Sequence, residues 1–92
     1  MEIIHNNVKY SVVEKDKNND DNMGKIIYKK AIIEIDETMP SDLKKQCLFH
    51  ECMHLVLSNI GEFELNNNES FVERFSNSVY NIVKDNKKVL LS

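Results

Sequence analysis

The chain opens on two short strand-like stretches, the second of which alternates apolar and polar residues. Glu2-Ile3-Ile4-His5 is brief and β-leaning, and Val8-Lys9-Tyr10-Ser11-Val12-Val13-Glu14 alternates at period two, the pattern of a strand with one covered face. His5-Asn6-Asn7 between them is a turn signal, so the pair reads as a hairpin. Residues 15–24 are polar, centred on Asn18-Asn19-Asp20-Asp21-Asn22, and read as a loop. Their side-chain oxygens lack EF-hand spacing and its closing glutamate, so no calcium site is expected there. Lys25-Ile26-Ile27-Tyr28 and Ala31-Ile32-Ile33-Glu34-Ile35 then supply two more strands or one bent strand. The expected product is a small, mainly antiparallel sheet of three to four strands.

The period changes after Pro40. Proline suits the first turn of a helix, and Thr38 or Ser41 is placed to cap it. The helix is expected to run to about Asn59, with Gly61 as its stop, which makes it about 30 Å long at ~1.5 Å per residue. Leu43, Cys47, His50, His54 and Leu57 fall along one side of it. Residues 61–68 connect to a second helix, for which Asn66-Asn67-Asn68 offer caps. There Phe71, Val72, Phe75, Val79, Ile82 and Val83 recur close to helical spacing, and the helix should end near residues 85–86. Residues 87–92 have no clear element. The whole reads as one α+β domain, residues 1–92, with the sheet first and two helices after it.

Composition narrows the function classes. Net charge is −3, and Lys29-Lys30, Lys44-Lys45 and Lys87-Lys88 are isolated pairs rather than a stripe, so no nucleic-acid partner is expected. Neither a membrane-spanning run nor a signal-peptide pattern is present, so no membrane role is expected. Cys47 and Cys52 lie five apart on one helix, where their side chains diverge, so no disulfide is expected. Free thiols fit a reducing, cytoplasmic location. Cys52 points off the histidine face and reads as a small buried apolar residue.

The chemistry concentrates in His50-Glu51-Cys52-Met53-His54, which has the form HExxH. At i and i+4 on a helix both imidazoles reach one metal ion, and Glu51 lies beside the position of a water on that metal. The plain alternative is an amphipathic helix with two surface histidines. The flanks Leu48, Phe49, Leu55, Val56 and Leu57 argue against it, because burying two imidazoles and a carboxylate without partners is costly. A catalytic zinc takes three protein ligands. The extended form HExxHxxGxxH fails at Leu57 and Ile60, and His5 reads as a turn-flanking surface residue. A carboxylate on the following helix is the better candidate. Glu69 falls in its first turn, where the helix dipole alone accounts for it. Glu73 sits deeper, between Val72 and Phe75, and is expected to be the third ligand, rather than a solvated or lysine-paired residue.

Two segments in this order, Gln46-Cys47-Leu48-Phe49-His50-Glu51-Cys52-Met53-His54 and Glu73-Arg74-Phe75-Ser76-Asn77, resemble the ImmA/IrrE-like zinc metallopeptidases, in a compact form of the phage and mobile-element kind. The resemblance covers roughly residues 30–80. It implies a zincin-like domain with Zn2+ held by His50, His54 and Glu73 and Glu51 as general base. Ser76 departs from the family's usual alanine, and the resemblance does not extend to the longer C-terminal portion that many members carry. The implied activity is hydrolysis of a peptide bond in a protein substrate. The substrate is expected to add as a strand along a sheet edge near residues 31–35. Tyr10, Tyr28 and Tyr80 read as structural rather than as a second electrophile. The alternative function is a non-catalytic, metal-stabilised binding module that regulates a partner by contact, and a metal-free helical interaction domain is the third reading.

Overall fold

The computed structural model describes residues 1–16 and 23–92. The two N-terminal stretches become β1 (Glu2–His5) and β2 (Val8–Lys15), paired antiparallel with His5 opposite Val8. Asn6 and Asn7 close the hairpin at φ 50° and 67°. Two residues in the left-handed region are what the twist of a tight hairpin requires, and asparagine tolerates that region better than most side chains. The polar stretch expected as a loop contributes its ends to strands, and its residues 17–22 lie outside the described residues.

β3 (Gly24–Ile27) and β4 (Ile32–Asp36) are separate strands, reversed through a 3-10 turn at Tyr28–Lys30 and by Ala31 at φ 52°. The strand order is β1-β2-β4-β3. β1–β2 and β3–β4 are antiparallel, but β2 runs parallel to β4. Alternation fixes which face a side chain takes and says nothing of strand direction, so this pairing was not legible. The order also corrects the expected substrate edge: β4 is interior, with β2 on one side and β3 on the other, and β3 stands at the end of the sheet.

Ile33 and Ile35, two apart on β4, point to one face and are buried together with Tyr10 and Leu55. Each such side chain contributes about 1.5–3 kcal/mol on burial. The covering element is α1 (Ser41–Asn59), close to its expected bounds. Pro40 occupies the cap position and no side chain caps the helix; the Thr38 hydroxyl donates instead to Asp36 Oδ1 at 2.8 Å. Gly61, at φ 81°, ends it, with Glu62 N donating to Leu57 O at 2.9 Å. Lys44 pairs with Glu14 and ties the first turns of α1 to β2.

The connection contains one helical turn, α2 (Phe63–Asn66), and is followed by α3 (Glu69–Asp85). Asn68 caps α3 as expected, its side chain accepting from Phe71 N at 3.0 Å. The tail forms a short α4 (Lys87–Leu90). α3 packs on α1, and its Val72 and Ser76 are both fully buried. The buried Ser76 hydroxyl donates to Glu73 O at 3.2 Å. Between the sheet and α3, no residue of α1 from Cys47 to Ser58 is exposed. Among the described residues no helix is long and apolar enough to cross a membrane.

Candidate metal centre

The i, i+4 spacing on α1 puts the rings of His50 and His54 side by side, with centroids 4.9 Å apart. Both are mostly covered, and both turn Nε2 toward the start of α3. Glu69, in the first turn of α3, meets them there. Its Oε2 is 3.3 Å from His50 Nε2, and its Oε1 is 3.0 Å from His54 Nε2. One donor atom from each of these three residues lies within 4.8 Å of the others. A group this close is geometrically able to hold a metal ion.

The remaining ring nitrogens are also engaged. His54 Nδ1 lies 2.6 Å from Asn66 Oδ1, at the end of α2. His50 Nδ1 lies 3.1 Å from Glu73 Oε2 and 3.4 Å from the Ser76 hydroxyl. A carbonyl or carboxylate oxygen only accepts, so each Nδ1 carries the hydrogen. In the neutral ring the Nε2 lone pair then faces Glu69. Lone pair and carboxylate repel unless a cation lies between them, and either a proton on each ring or one divalent metal provides it. Partners at Nδ1 are the usual means of orienting metal-ligating imidazoles.

Glu73 is therefore placed differently from expectation. Its carboxylate meets His50 on the Nδ1 side and receives Asn77 Nδ2 at 3.3 Å, while Glu69 faces both Nε2 atoms. Depth in the apolar pattern was a misleading guide, because both glutamates are exposed, at 71% for Glu69 and 62% for Glu73. Being one helical turn apart, they address opposite nitrogens of the same ring.

Glu51 is buried and lines the same cleft of about 390 Å³. β3 closes on it at Gly24, where an added Cβ would meet Cys47 Sγ at 2.6 Å and Glu51 Oε2 at 3.1 Å. Gln46 and Asn77 offer amides to the cleft, and Met23 and Leu43, both substantially exposed, give it an apolar flank.

The other expectations resolve simply. Tyr10 is in the core, Tyr28 is exposed on the 3-10 turn, and Tyr80 packs edge-on against Phe49 at 5.4 Å; none of the three lines the cleft. His5 Nδ1 accepts from Asn59 Nδ2 at 2.6 Å and pins the first hairpin to the end of α1. Neither cysteine forms a disulfide among the described residues. Burial, and then the charge of Glu51, push the Cys52 thiol up to about 11, so it stays protonated and is a poor ligand. Sequence reasoning missed Asn66 and Gly24. The asparagine run signalled caps only, and nothing local marks a glycine for close approach to a distant side chain.

In comparison with known proteins, the chain matches no family model, no curated protein and no solved structure.

Proposed function

We propose that the chain is a metal-dependent peptidase, with His50, His54 and Glu69 holding zinc and Glu51 acting as general base. The observation that supports this is the meeting of two Nε2 atoms on one carboxylate, 3.0 and 3.3 Å away, beside a buried glutamate in the same cleft. Two imidazoles and one carboxylate suit zinc better than harder cations. Zinc bound there supplies Lewis acidity, bringing the pKa of a water toward ~7 and polarising a carbonyl.

The chain's own residues do the rest. Glu51 takes the proton of the attacking water and passes it to the leaving amine. Its burial keeps the carboxylate in one place, and Gly24 leaves room for it. Glu73 and Asn66 hold the rings in the tautomer that presents Nε2. β3, at the end of the sheet and beside the cleft, is the edge on which an extended peptide adds as a strand. Met23 and Leu43 favour an apolar side chain next to the cleaved bond. This reading keeps the ImmA/IrrE-like resemblance but exchanges Glu73 for Glu69 among the ligands.

The test combines metal content with hydrolysis of a mixed peptide library. Purified protein is expected to hold one zinc and to cut, and Glu51→Gln is expected to keep the zinc and lose the cutting. Protein that takes up no metal, or a Glu51→Gln variant that cuts as well as the wild type, refutes the proposal.

A further inference from the structure

The face of α1 away from the cleft carries a second concavity, of about 400 Å³. Its floor is apolar: Ile3 from β1, Leu48, Phe49 and Cys52 from α1, Tyr80 and Val83 from α3. Its rim is basic. Lys45, Lys84 and Lys87 stand around it against the single acid Asp42, in a chain whose net charge is −3. Lys84 Nζ sits 5.8 Å from the centre of the Tyr80 ring. Among the described residues none of the three lysines forms an ion pair.

We infer that this groove docks an acidic amphipathic helix of a partner protein. The inference stands apart from the metal reading, since the groove contains none of its residues. Charge decides the occupant: three unpaired ammonium groups around an apolar floor select a segment with carboxylates flanking an apolar stripe. Shape agrees. The α1 wall runs from Asp42 to Cys52, about 15 Å at the helical rise, which matches some ten residues of a helix lying alongside. Leucine-sized anchors at i, i+3 or i+4, and i+7 would then enter between α1 and α3. Nucleic acid would need a continuous basic track, and here three lysines surround an aromatic and aliphatic floor.

The test uses the full chain, labelled with 15N, and a synthetic fourteen-residue peptide with leucines at those spacings and glutamates beside them. Expected are amide shifts at Leu48, Phe49, Cys52, Tyr80 and Val83. Replacing the peptide glutamates by lysine is expected to abolish them. Changing Lys45, Lys84 and Lys87 together to Glu is expected to weaken binding about tenfold or more while leaving the spectrum folded. The inference is overturned if the shifts centre elsewhere, if the triple variant binds as well as the wild type, if the lysine peptide binds equally, or if vesicles containing anionic lipid move these amides and the peptide does not.

Discussion

Asn66 Oδ1 lies 2.6 Å from Nδ1 of His54 and makes the last residue of α2 part of the candidate metal centre. A short turn between two long helices thereby fixes which nitrogen of His54 carries the hydrogen. Asn66→Ala is expected to lower zinc affinity by about 10- to 100-fold, the usual cost of losing such a partner. Asn66→Asp, which keeps an acceptor, should retain most of it. Competition with a chelating dye reads both.

The two glutamates of α3 separate in the same assay. Glu69→Gln removes a proposed donor and should end stoichiometric zinc binding. Glu73→Ala removes the carboxylate acceptor at His50 Nδ1 and leaves Nε2 untouched, and should cost about 10- to 100-fold. The opposite ranking would return Glu73 to the ligand set.

Gly24 faces Glu51 and Cys47 with no room for a methyl group. Gly24→Ala is expected to lower peptidase turnover while zinc stays bound, because what it displaces is the base and not the donors. Cys47→Ala removes the closest contact, that with Sγ at 2.6 Å. The double variant should therefore recover part of the loss. Two penalties that simply add would show that the crowding is not shared.

Cys52 links stability to alkaline pH. Its folded value of about 11 lies above the ordinary 9.0. The unfolded chain therefore loses this proton first. The thiol's contribution is complete below pH 9 and disappears as pH rises from 9 to about 11. Metal-free protein should show a falling melting temperature across that window, and Cys52→Ala should flatten the fall. Alkylation of Cys52 in the folded protein near pH 8 should be slow.

Much of the architecture was legible because it rests on periodicity. Period two gave β2, the turn at His5-Asn6-Asn7 gave it β1 as a hairpin partner, helical spacing and Gly61 bounded α1, and the asparagines located the start of α3. The parallel partnership of β2 with β4 was not legible, since a strand sequence is silent on direction. Ala31 concealed the reversal before β4, because nothing in an alanine announces a left-handed backbone. At the site, the histidine pair and Glu51 follow from local spacing. The choice between Glu69 and Glu73 depends on how α3 crosses α1, which two residues one turn apart cannot reveal. Asn66 belongs to a connection whose fold only tertiary contacts define.

α1 is enclosed along most of its length, with every side chain from Cys47 to Ser58 at least partly covered. A helix at a surface tolerates change on one side and resists it on the other, so damage recurs every three to four positions. Here that rhythm should vanish: randomising these positions one at a time leaves an unbroken intolerant block, with tolerance returning only toward Ser41 and Asn59.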